Sequence, residues 1–175
     1  MSRNKFKISN LFIRYLLIIA AALFNLWIFY TIFTPLTIYP SYYIIKLFHS
    51  VSLSGNVISI NNQTIDLIKA CIAGSAYYLL FILNLSVPFI KAKKRIIMIS
   101  LYFLVLLILN ILRIVILTFI FISGYSFFNL AHEIFWYALS TIFVIGIWFI
   151  EAKIFKIKEI PIYSDIKILF EKIKK

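Results

Sequence analysis

Apolar runs broken by short polar stretches divide the chain into four long hydrophobic segments, at about 11–38, 68–90, 96–122 and 131–150. As α-helices, each covers the roughly 30 Å hydrocarbon layer of a bilayer, and the pattern therefore predicts an all-α integral membrane fold with four transmembrane helices. An even number of crossings returns the chain to the side on which it began. Between the first two segments the pattern changes. Tyr42, Tyr43, Leu47 and Phe48 suit a short amphipathic helical turn at the headgroup boundary. Residues 56–67 then set β-branched positions on both sides of Asn61-Asn62, a pair that tolerates the positive φ of a tight turn, and predict a short extracytoplasmic β-hairpin. Asp66 is expected to cap the second helix, with its carboxylate at the positive end.

Beyond the fourth segment Pro161 interrupts the chain. Ser164-Asp165 then opens an amphipathic run with Ile166, Leu169, Phe170 and Ile173 at i, i+3, i+4 and i+7. Lys167, Lys172, Lys174 and Lys175 fill the other faces, so the basic tail at 151–175 is expected to lie along the cytoplasmic leaflet. No internal repeat or low-complexity linker divides the chain, and residues 1–175 read as a single multi-pass membrane domain.

Composition strengthens the choice of lipid as solvent, because 63% of the 175 residues are hydrophobic and the mean hydropathy is +1.02. Charge adds an orientation. The formal net charge of +12 is concentrated in three blocks: the N-terminal Arg3, Lys5, Lys7 and Arg14, the turn Lys91-Ala-Lys-Lys-Arg95, and the tail from Lys153. Basic residues gather on the cytoplasmic side of membrane helices, so both termini are expected there, in a plasma (inner) membrane protein. The first segment runs past signal-peptide length without a small-residue cleavage site and reads as retained. The basic blocks flank hydrophobic segments and include no RNA- or DNA-binding motif, so the lipid bilayer, and not nucleic acid, is the expected partner.

Against this background one residue stands out. Arg113 lies within the third apolar segment, where an arginine costs roughly 3 kcal/mol even on a lenient insertion scale, and it therefore requires a partner, a wet cavity or a function. Cys71, His132 and Glu133 are the candidate partners. Cys71 opens the second segment, His132 opens the fourth, and Arg113 sits in the outer half of the third, so all three converge toward the extracytoplasmic face. Together they form a workable set for thiol chemistry. A neighbouring cation lowers a thiol's pKa, an arginine stabilises a thiolate or an oxyanion, and a histidine carries protons near neutral pH. Asn110, one turn before Arg113, is placed to orient the guanidinium. Gly74 and Ser75 follow Cys71 and would let a peptide or another helix approach closely. No metal-ligand cluster, phosphate-binding glycine loop or serine-centred motif is present in the sequence, and neither a metal nor a cofactor is called for.

Cys71-Ile-Ala-Gly74 after a short outer hairpin, Asn110-Ile-Leu-Arg113, and His132 at the start of the next segment resemble, in order and spacing, the exosortase and archaeosortase membrane transpeptidases. The resemblance covers about residues 56–150. It implies a cysteine protease and transpeptidase that cleaves near the C-terminal transmembrane sorting signal of exported proteins and transfers them to a membrane or surface acceptor. Cys71 would form the thioester, His132 would act as acid and base, and Arg113 would stabilise charge. Many members of that family carry additional spans, so this chain resembles a minimal core. Two other classes fit the same residues: a noncatalytic assembly partner or small transporter in which Arg113 binds an anionic substrate, and a thiol acyltransferase acting on lipid.

Overall fold

The computed structural model describes residues 8–23, 25–60, 63–136 and 140–173. In chain order it comprises α1 (Ile8–Ala22), α2 (Trp27–Lys46), β1 (Val51–Ser54), β2 (Val57–Ile60), β3 (Gln63–Asp66), α3 (Lys69–Ile72), α4 (Gly74–Leu85), α5 (Ala92–Ile122), α6 (Phe128–Ile134), α7 (Ser140–Ile154) and α8 (Tyr163–Ile173). The 31-residue α5 is the axis, with α2, α4 and α7 packed along it and α1 laid against α4. Tyr77, Leu80, Met98 and Tyr102 are fully enclosed between α4 and its neighbours. Phe33 stacks on Tyr77 with ring centroids 3.6 Å apart, and Phe103 meets both rings edge-on.

The described residues do not form the four transmembrane helices expected. Among the described residues only α5 is long and apolar enough to cross a membrane, and α1 with α2 supplies a second span only if the two are counted together across the 65° bend between them. The segment expected at 68–90 yields a helix of four residues and one of 12, because Ala73 takes a left-handed conformation (φ 60°, ψ 34°) between α3 and α4. At 1.5 Å per residue α4 rises about 18 Å, well short of the hydrocarbon layer. In the segment expected at 131–150, residues 137–139 lie outside the described ones, with the seven-residue α6 before them and the 15-residue α7 after them. Hydropathy sums over a window and does not register where a backbone angle stops a helix.

The outer face of the molecule is nevertheless apolar. Along α5, Leu104, Ile108, Leu112 and Ile116 recur every fourth residue and are all exposed. Phe12, Leu16 and Ile19 on α1, and Ile142, Ile145 and Phe149 on α7, are exposed in the same way.

The extended region is a three-stranded antiparallel meander, β1–β2–β3, and not one hairpin. Gly55 has φ +61° and opens the β1–β2 turn, the position where a two-residue hairpin of this type requires a residue without a Cβ. The Asn61-Asn62 turn falls outside the described residues. Tyr42 and Tyr43 belong to the last turns of α2, which runs on through Pro35 and Pro40. Asp66 remains in strand, since the ladder continues to Leu67, whose N–H donates to the Asn56 carbonyl at 3.0 Å. The residue that caps α3 is therefore Ile68, without a side-chain hydrogen bond.

The C-terminal tail is docked into the bundle by buried polar contacts. Arg14 pairs with Asp165 at 2.6 Å and also donates to the Leu85 carbonyl at 3.0 Å, while the Tyr15 hydroxyl donates to Asp165 at 3.2 Å. Ile162 N–H reaches the Ser86 carbonyl at 3.1 Å. Ile166 and Phe170 on α8 stay exposed. Lys94 and Arg95 thus stand at one end of α5, with Arg14 close enough to Arg95 to act on its charge, and Arg113 lies 18 residues on from Arg95, about 27 Å of helix rise away.

Candidate active site

Cys71 is carried out of the sheet by a short, tightly folded connection. After the last ladder bond Ile68 N–H turns back onto the Asp66 carbonyl at 3.1 Å, and Cys71 N–H bonds to the Ile68 carbonyl at 2.8 Å. The left-handed Ala73 then ends α3. A non-glycine residue in that conformation costs roughly 1–2 kcal/mol, so surrounding packing must enforce it. Gly74 shows one source of that packing. A Cβ there would stand 2.7 Å from two atoms of the Tyr30 ring, so glycine lets α2 press directly against the start of α4. Cys71 and Gly74 accordingly lie on different helices, and Ser75 is exposed and lines no part of the site.

Two side chains of α5 hold the Cys71 backbone. Asn110 Nδ2 donates to the Cys71 carbonyl at 2.9 Å, and Arg113 Nη2 donates to the same oxygen at 3.2 Å. Residues three apart on a helix share a face, which is why the Asn-x-x-Arg spacing lets both reach one atom. The carbonyl itself belongs to the end of α3, where no further helical N–H follows to donate to it. Asn110 is buried, and its amide nitrogen donates to Cys71.

The half-buried thiol opens into a cleft of about 230 Å³ whose lining includes Cys71, Arg113 and His132. Three separate elements, α3, α5 and α6, bring these side chains to one cavity. His132 is held by two aromatic neighbours, stacked on Phe128 with centroids 5.8 Å apart and edge-to-face with Trp136 at 5.6 Å. Glu133 is exposed and does not line the cleft. Burial pushes the Cys71 thiol above its ordinary range, the charge of Arg113 pulls it back, the Ile68 backbone contact pulls the same way, and Asp66 adds to the rise. The resting group is therefore the thiol, and a proton acceptor is needed before sulfur can attack. His132 lines the same cleft, and an imidazole suits that task.

The remaining walls were not anticipated from sequence. One is the β3 segment from Thr64 to Leu67, and the other is aromatic, with Phe121, Phe128, Phe135 and Trp136. A signal for the second was present, because Phe128, Phe135 and Trp136 stand at i−4, i+3 and i+4 around His132, on its own helical face. Tyr77, enclosed in the core, also stands close enough to Arg113 to feel its charge. Among the described residues no three His, Cys, Asp or Glu side chains converge as a metal site would require. No protein-family model, curated protein or solved structure matches the chain.

Proposed function

We infer that this protein is a membrane cysteine peptidase and transpeptidase of the exosortase type, acting on exported proteins near a C-terminal hydrophobic sorting signal. The observation that carries the reading is the meeting of Cys71, Arg113 and His132 in one cleft, with Arg113 bonded to the cysteine's own backbone. In the reaction His132 takes the Cys71 proton and sulfur attacks the scissile carbonyl. Arg113 supplies positive charge beside the oxyanion that forms. The carbon–nitrogen bond breaks, His132 returns the proton to the leaving amine, and a thioester remains on Cys71. An acceptor nucleophile, or water, then gives up its proton to His132 and displaces the sulfur.

The membrane setting is part of the same proposal. It is supported by the exposed aliphatic stripe of α5 and by the separation of the basic end from the cleft end of that helix, a distance close to the thickness of the hydrocarbon layer. The basic end, with the docked α8, would face the cytoplasm, and the cleft would face outward.

The test follows the size of an anchored substrate in cells expressing each variant, with protein levels checked by immunoblot. Cys71→Ala and His132→Ala should abolish release of the anchor at normal protein level. Arg113→Lys should lose most activity, since an ammonium does not reproduce the planar fork of donors. Mass spectrometry of acyl-Cys71 would identify the attached fragment. Normal cleavage by a well-expressed Cys71→Ala protein would end the peptidase reading and favour a noncatalytic role.

A further inference from the structure

Strand β3 is the last of the sheet, and no strand pairs with its second edge among the described residues. Register decides which of its backbone groups face that edge. Residues of an antiparallel pair alternate between hydrogen-bonded and non-bonded positions. The bond from Leu67 N–H to the Asn56 carbonyl sets that pair as bonded, so Ile65, opposite Ile58, is also turned toward β2. Thr64 and Asp66, opposite Ser59 and Val57, therefore turn their backbone groups outward. The Asp66 carbonyl is occupied by Ile68 N–H. That leaves the N–H and C=O of Thr64 and the N–H of Asp66 facing the edge.

This edge belongs to the same cavity as the thiol. The cleft around Cys71 is lined by four consecutive residues, 64 to 67, and by none from β1 or β2. A cavity over the face of a sheet touches alternate residues of adjacent strands, whereas one that touches consecutive residues of the outermost strand runs along its edge.

Resting on the reading of Cys71 as a peptide nucleophile, we propose that the substrate binds as an extended strand added to the free edge of β3, with alternate backbone amides bonded to Thr64 and Asp66. The two outward positions are two residues apart, the repeat of an extended peptide. Strand addition of this kind draws affinity from main-chain bonds and selectivity from pockets for alternate side chains. Phe128 and Trp136 supply an apolar wall for those side chains. A lipid chain offers neither donor nor acceptor to the edge, and a helical segment has already used its own. The bound part of the substrate is therefore an unwound peptide, and the cut falls outside the helical part of any anchor.

The test uses the full-length protein in detergent and two electrophiles with one warhead: acetyl-Val-Thr-Val vinyl sulfone and methyl vinyl sulfone. Both alkylate Cys71, but only the first carries a peptide backbone. The peptidyl reagent should react at least about tenfold faster. Methylation of its backbone amides should remove about three- to tenfold of that advantage at alternate positions and little between them, as expected for the net contribution of single hydrogen bonds. Thr64→Pro deletes an outward N–H without touching the ladder to β2 and should lose the advantage, while Thr64→Ala keeps the N–H and should retain it. In each protein the advantage is read as the ratio of the peptidyl rate to the methyl rate. Equal losses at every methylated position, or equal losses in Thr64→Ala and Thr64→Pro, would overturn strand addition while leaving the nucleophile intact. Failure of the methyl reagent to label Cys71 would remove the nucleophile and this proposal with it.

Discussion

The bond from Asn110 to the Cys71 carbonyl offers a sharp test of how the site is held. The amide is buried, 3% exposed, and its Nδ2 lies 2.9 Å from the oxygen. Asn110→Leu keeps the volume and deletes the donor, leaving the Cys71 carbonyl to Arg113 alone. Removing one partner from a buried hydrogen bond costs about 1–3 kcal/mol, and the lower half of that range applies here because Arg113 still donates to the same oxygen. Asn110→Asp is the harsher change, since it sets a second oxygen against the carbonyl and a negative charge beside the thiol. The assay has two arms in detergent: the thermal midpoint by intrinsic fluorescence, and the rate of Cys71 alkylation by methyl vinyl sulfone against pH. Asn110→Leu should lower the midpoint by several degrees and leave the pH profile in place. Asn110→Asp should lower the midpoint further and move the profile to higher pH, because added negative charge opposes the thiolate. If Asn110→Leu unfolds at the native midpoint, the bond contributes nothing and the clamp on Cys71 is Arg113 alone.

Three further outcomes follow from the charges. Arg113→Met removes the positive charge that opposes burial at Cys71, so the alkylation profile should move to still higher pH; profiles that superimpose would show that Arg113 does not act on the thiol. Burial pushes the Glu151 carboxyl up to about 8, so it keeps its proton in the fold while the unfolded chain loses its own near pH 4.5. Stability should fall as pH rises between those values, by roughly 3 kcal/mol at pH 7; Glu151→Gln should raise the midpoint at neutral pH, match the native protein below pH 4 and flatten the curve, and an unchanged slope would count against it. Asp165→Asn leaves the Arg14 guanidinium, 11% exposed, without its counter-ion and should cost about 3–5 kcal/mol. Adding Arg14→Met should recover much of that loss in thermal midpoint, and simple additivity of the two changes would refute a coupled pair.

Several features needed only the sequence. The apolar outer surface follows from composition, since so hydrophobic a chain cannot bury all its aliphatic side chains among themselves. The turn of the chain into strand at 57–60 and 63–66 follows from β-branched residues flanking Asn61-Asn62. The demand of Arg113 for a polar partner follows from its apolar setting, and the three-residue spacing to Asn110 places both on one face of α5. The tertiary structure decided what those groups do. Ala73 is an ordinary helix former, yet in the fold it is left-handed and splits the second apolar segment, next to the glycine that lets Tyr30 of α2 approach, and the Cys71 carbonyl is met by Asn110 of α5. Ser164-Asp165 reads in the sequence as the start of an amphipathic helix lying on the leaflet, and only the tertiary structure pairs Asp165 with Arg14. The free edge of β3 is likewise invisible to periodicity, because pattern gives a strand its faces while only its neighbours make it an edge. Hydropathy is local and additive, so it says which segments avoid water; where a helix stops, and which groups meet, depends on contacts between residues far apart in the chain.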